Sequence, residues 1–186
     1  MRSSWFNSSV VPFRLVFLMW AAFYVEFFWQ WPLHYFGIAP RSLVGLIGIV
    51  TGPMLHGGLN HLISNTFPLL FLGTVLFFFY EKIGGTVFFR AYFWTNILVW
   101  LFARQDTNHI GASGVVYGLA FFLIFFGIFR RDLTSILISI GIILMYGGVI
   151  YGVLPTDPEI SWESHLAGGL VGTYTAVEFS KKKIVE

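Results

Sequence analysis

The sequence contains no cysteine in its 186 residues. That excludes a disulfide framework, a cysteine nucleophile and any thiolate metal site. Charge is nearly as scarce, at 11% of residues against roughly a quarter in ordinary soluble domains. The formal net charge is only +2 and the basic residues are scattered to segment ends, which excludes a nucleic-acid partner. No HExxH is present, and with it goes the familiar helical zinc site. What remains is apolar: 56% of residues are hydrophobic, with 22 Phe and 7 Trp. A soluble core of this length could not hide so much apolar surface, so a lipid bilayer must solvate part of it.

Apolar runs of about 20 residues, the length that spans a bilayer, fall near 11–31, 54–80, 85–103, 112–129, 133–154 and 164–180. No small-residue cleavage site precedes the first, which reads as an uncleaved signal anchor. The fourth and sixth runs are short and barely cross a hydrocarbon layer of about 30 Å. Short helices among longer ones are expected where water must reach partway into a protein. Residues 32–53 are too apolar for a free loop and too broken by Pro and Gly for another span. They read as a re-entrant or interface-lying element. No repeat or linker divides the chain, so residues 1–186 are expected to form one all-α membrane domain of six transmembrane helices.

Orientation follows from lysine and arginine. With the N-terminus inside, Arg2, Arg14, Lys82, Arg90, Arg130 and Arg131 fall at inner ends, together with the Lys181–Lys183 run. Only Arg41 and Arg104 fall outside. This positive-inside bias predicts that both termini are cytoplasmic.

Intramembrane polar residues are costly and mark function when their partners can be named. Under this topology the second, fourth and sixth helices run the same way. His56, His61 and Asn65 sit in the first turns of the second, Ser113 opens the fourth, and His165 opens the sixth. All lie at one level in the outer half of the membrane. Helical angles put His61 and Asn65 on one face, and Ser113 and Tyr117 on one face. His56 points roughly 140° away from His61, so it is expected to make a separate contact with the first outer loop. Two small-xxx-small faces, Gly114/Gly118 and Gly168/Gly172, allow the fourth and sixth helices to approach closely. That packing would set Ser113 beside His165.

A serine hydroxyl becomes a useful nucleophile when a histidine nitrogen takes its proton. Attack on a peptide carbonyl then needs donors for the oxyanion. Ser113 follows Gly111 and Ala112 at a helix start, where backbone N–H groups are unpaired. His61 and Asn65 can add side-chain donors. No acid completes a triad: Glu163 is turned about 200° from His165 on the helix, and Asp157 and Glu159 belong to a hydrated loop. Tyr117 could hold the imidazole by stacking or by hydrogen bonding. The expectation is a Ser–His dyad. His34 and His109 read as loop histidines without a chemical role, and Glu26 and Asn96 as interhelical polar contacts.

The stretch His56-GGLN-His61-LIS-Asn65, then Gly111-Ala-Ser-Gly114, then His165-LA-Gly168-GLV-Gly172 resembles the rhomboid intramembrane proteases. Their pattern is HxxxxHxxxN, GxSG and HxxGxxxG on the second, fourth and sixth core helices. GxSG alone is weak, but the three motifs in order, across residues 10 to 180, are strong. The resemblance implies a six-transmembrane-helix rhomboid-like bundle with a membrane-interface first outer loop. It implies cleavage of a membrane-protein substrate's transmembrane helix near its outer end, without metal or cofactor. It assigns Ser113 as nucleophile and His165 as base, with His61, Asn65 and the Ser113 backbone as oxyanion donors and Tyr117 packed on the base. His56 takes the first motif histidine, which looks structural. A prokaryotic cytoplasmic membrane is the expected location.

Two features depart from the family pattern. The Trp-Arg common in its first outer loop is replaced here by Pro40-Arg41. The Glu that often lies about twelve residues past the motif Asn is missing, since position 77 is Phe and Glu81 follows one turn later. The rival readings are a catalytically inactive rhomboid-like protein that binds membrane proteins, a metal site on the histidines, and a small transporter. The last should show paired broken helices and mid-membrane charges.

Overall fold

The computed structural model describes residues 4–155 and 161–182. Asp157 and Glu159, expected in the hydrated loop, and Arg2 and Lys183 of the inner basic set lie outside the described residues. Among the described residues seven α-helices follow in chain order: α1 (Trp5–Trp29), α2 (Leu43–Thr51), α3 (Leu59–Phe79), α4 (Glu81–Phe102), α5 (Ser113–Arg130), α6 (Leu133–Tyr146) and α7 (Trp162–Ser180). Among the described residues there is no strand. The one extended contact is an isolated antiparallel bridge between Ile38 and His109.

Local chemistry sets the ends. Ser4, Ser42 and Asp132 each precede a helix and accept a hydrogen bond from a backbone N–H in its first turn, as an N-cap residue does. The second apolar run was expected to be helical from 54, but Pro53 and the Gly57-Gly58 pair hold the chain out of the helix until Leu59. The fifth run was expected to continue to 154. Instead α6 ends at Tyr146, and Gly147-Gly148 opens a tighter 3-10 segment, Gly147–Val153.

Helix α5 is the centre of the bundle. Leu119, Phe122, Leu123 and Phe126 on it are fully enclosed, as are Leu62, Leu69, Leu72 and Leu76 of α3. Helix α1 packs on α3, where the Pro12 ring rests on Gly73. Large apolar side chains elsewhere point outward, including Phe17, Phe27, Phe67, Leu144 and Tyr174. An exposed surface of this kind belongs in lipid.

By length and composition, α1, α3 and α5 can each cross a membrane. Helix α6, at 14 residues, is short of the six-span expectation. Helices α4 and α7 are long enough but carry Lys82, Arg90 and Glu178 within their runs. The fold is an all-α membrane bundle. Segment 32–53 forms a 3-10 turn and the short helix α2, whose Leu43, Val44, Ile47 and Val50 are exposed, as an interface-lying element requires. Arg41, which replaces the family's loop arginine pattern, donates to the carbonyls of Leu101 and Ala103 and so closes the end of α4. Asn96 makes the interhelical contact expected of it, donating to the Ile49 carbonyl of α2. Glu26, expected to do the same, pairs instead with His34 in the 3-10 turn after α1.

Candidate functional site

Helices α5 and α7 run parallel and start at one level. A Cβ on Gly168 would fall inside van der Waals contact with the Gly114 carbonyl oxygen, and one on Gly172 with the Gly118 carbonyl oxygen. Gly114 in turn faces the Ser164 carbonyl. The contacts advance four residues at a time on both helices together, which is possible only for parallel axes in close register. Backbone packs on backbone.

This lock brings the first turns together. Ser113 Oγ lies 2.9 Å from His165 Nε2. His165 Nδ1 lies 2.8 Å from the Gly152 carbonyl oxygen. A carbonyl can only accept, so Nδ1 carries the ring proton and Nε2 presents its lone pair to the Ser113 hydroxyl. Tyr117 lies flat on the imidazole, with ring centroids 4.0 Å apart and planes 3° apart. Of the two ways Tyr117 could hold the ring, the structure uses stacking, and a backbone carbonyl supplies the hydrogen bond.

The start of α5 and the His61 ring lie together. No side chain caps the start of α5, and its first internal bond is Val116 N–H to Ala112 C=O, so the N–H groups before Val116 have no partner within the helix. Gly111 has φ +107°, a conformation open to glycine, and a Cβ there would meet His61 Nε2. The His61 ring thus sits against the backbone leading into Ser113. Asn65 donates through Nδ2 to the His61 carbonyl at 2.8 Å, spending one of its two amide hydrogens on the helix. Ala112 is fully buried. Glu163, the acid nearest His165 in sequence, is bound to Arg104.

The Rhomboid domain family model matches residues 43–182 of this chain. The chain belongs to the rhomboid family. Uncharacterized proteins of Mycobacterium bovis and Mycobacterium tuberculosis are each 32% identical to it over 156 residues, covering 75% of this chain and 62% of theirs. One from Mycobacterium leprae is 33% identical over 147 residues, covering 70% of this chain and 55% of its own. This rhomboid chain therefore spans less than two thirds of the length of those relatives.

Two readings of the rhomboid motifs need correction or addition. His56 was expected to turn away from His61, on the premise that both lie on one helix. It precedes α3, and its ring meets that of His61 edge-on with centroids 4.9 Å apart. The angle between His56 and His61 thus no longer argues against a metal, but among the described residues no group of three His, Asp or Glu side chains converges. Gly152 was not anticipated, because a backbone carbonyl has no residue-type signature. A glycine near the end of a broken helix was the only available hint.

His56 is 2% exposed. Its Nδ1 bonds the Met54 carbonyl, while Nε2 has no partner among the described residues. Burial, with His61 beside it, lowers its pKa from 6.5 to about 4. The unfolded chain therefore takes up this proton first as pH falls. Stability from neutral His56 is complete above about pH 6.5 and is lost progressively toward pH 4, on the order of 3 kcal/mol in all. Thermal unfolding in detergent at pH 7.5 and 4.5 checks this. The wild-type midpoint should fall more between the two than that of His56→Gln; equal falls would remove His56 as the cause.

Proposed function

We propose that this rhomboid is an intramembrane serine endopeptidase working through a Ser113–His165 dyad. The observation that carries the reading is the single hydrogen-bonded line from Ser113 Oγ through the imidazole to the Gly152 carbonyl. It puts an unprotonated nitrogen against the hydroxyl that must lose its proton. In this mechanism Ser113 Oγ attacks the scissile carbonyl and His165 Nε2 takes the hydroxyl proton. The oxyanion is held by the backbone N–H groups at the start of α5 and by His61 and Asn65. His165 then returns the proton to the leaving amine, and water, activated by the same nitrogen, clears the acyl-enzyme. The Gly152 carbonyl steadies the imidazolium where a triad would place an acid.

The substrate is a transmembrane helix of another membrane protein, entering from lipid and cut near the outer face. The positive-inside count supports an outer site with both termini cytoplasmic. The mycobacterial relatives support a prokaryotic cytoplasmic membrane. Residues 1–186 act in this reading as a single domain that needs no cofactor.

A fluorophosphonate probe on purified protein in detergent tests the proposal. Wild type should be labelled and Ser113→Ala should not; an unlabelled wild type would favour the inactive, membrane-protein-binding alternative. Gly152→Ala offers a finer check. The new Cβ would collide with the Tyr117 hydroxyl, so either the ring or the carbonyl must move. Displacements of about 1 Å cost roughly 10²-fold in rate. The labelling rate should fall by about that factor with the fold retained, and an unchanged rate would remove Gly152 from the machinery.

A further inference from the structure

His109, read from sequence as an idle loop histidine, is 4% exposed and bonded on both ring nitrogens. Its Nε2 lies 2.8 Å from Thr107 Oγ1, and its Nδ1 lies 2.5 Å from Ser161 Oγ. Ser161 Oγ is also 2.6 Å from Ser164 Oγ. Four polar side chains thus form one line from the loop between α4 and α5 to the first turn of α7.

The protons in this line have a definite order. Thr107 donates its hydroxyl hydrogen to the Arg104 carbonyl, so it accepts from His109 Nε2–H. His109 Nδ1 is then an acceptor and takes the Ser161 hydroxyl hydrogen, and Ser161 Oγ accepts from Ser164. A neutral His109 satisfies every member. Burial lowers its pKa, opposed by Glu163 and assisted by Arg104, which favours that neutral form. Those two charged groups face it from α7 and from the loop, and they are paired with each other.

The line is a diversion from ordinary capping. Ser161 precedes α7, where a serine hydroxyl usually accepts from the helix's own N–H groups. Here it makes no such cap; its hydroxyl is committed to His109 and Ser164. Arg104 and Glu163 tie the same loop to the same turn. On its other side, the His109 backbone exchanges both hydrogen bonds with Ile38, and Gly111 N–H donates to the Gly52 carbonyl. His109 therefore sits where the loop leading into Ser113 meets the turn carrying His165, four residues before the one and bonded to Ser161 just ahead of the other.

We propose that His109 is a positioning residue. It clamps the first turn of α7 to the 104–112 loop through Thr107, Ser161 and Ser164, and so sets the height of His165 relative to Ser113. The clamp is a matter of structure alone; its bearing on catalysis rests on the protease reading given above.

The experiment uses wild type, His109→Ala, His109→Asn and Thr107→Val as full chains in detergent. Two quantities are read: backbone hydrogen exchange in residues 161–166, and fluorophosphonate labelling resolved into probe affinity and maximal rate. Asn can still accept from Ser161 in place of Nδ1. Exchange should speed about tenfold in His109→Ala and far less in His109→Asn. The maximal labelling rate should fall about tenfold in His109→Ala, with probe affinity nearly unchanged, and recover in His109→Asn. Thr107→Val should lie between them. Unchanged exchange in His109→Ala overturns the clamp. Faster exchange with an unchanged labelling rate overturns the positioning role. A wild type that never labels, with the exchange difference intact, overturns the protease reading and leaves the clamp standing.

Discussion

Ser113→Ala protein should cleave a single-pass model substrate slower than wild type by on the order of 10³-fold or more, while unfolding at the same temperature. His165→Ala should lose about as much, and the double variant no more than either alone. Residues that act as one unit are not additive, because removing either member leaves the other without a task. The 2.9 Å contact between Ser113 Oγ and His165 Nε2 makes these two such a unit. Any residual rate belongs to the oxyanion donors and to substrate binding. Gel-based cleavage in detergent, with protein concentration far above substrate, reads all four proteins in one time course. Losses that multiply in the double variant would mean two independent roles and would sink the dyad.

The second large effect concerns folding. Gly168→Ala and Gly85→Ala make the same chemical change inside helices, with opposite expected results. At Gly85 a new Cβ meets nothing within 4 Å. Alanine there should stabilise by about 0.5–1 kcal/mol through its better helix propensity. At Gly168 it would press on the Gly114 carbonyl and on the backbone of α5. Neither can yield without parting the two helices, so a loss on the order of 3 kcal/mol is expected. Thermal midpoints of the two variants in one detergent give the comparison. A Gly168→Ala midpoint at or above that of wild type would mean that α5 and α7 are not locked through their glycines.

The parts of the site that could be read in advance were those with a side-chain spacing behind them. Gly114/Gly118 and Gly168/Gly172 repeat at four residues, so both the contact and the level of Ser113 and His165 followed from helical geometry. His56 did not, because apolar character ran on across Pro53 and Gly57-Gly58 and hid the true start of α3. The end of α6 failed in the same way: residues 147–153 are apolar enough for a span, yet two glycines let them tighten into 3-10 turns. Gly152 and His109 were missed for another reason. One acts through its main chain, and the other owes its burial to Ile38 and Ser161, which are distant in sequence. Asn96 and Glu26 were read as interhelical contacts; Asn96 makes one with α2, whereas Glu26 turns to His34 in the segment before α2, which periodicity alone could not orient.

The glycine lock between α5 and α7 also bears on where such a protein can work. Bilayers differ in hydrocarbon thickness, and spans answer by tilting. Helix α1 meets the bundle mainly along α3 and can lean with the membrane. The α5–α7 pair cannot shear in this way, because backbone is seated in backbone along several turns. The spacing of Ser113 and His165 is thereby insulated from hydrophobic mismatch, while the outer rim of the bundle absorbs it.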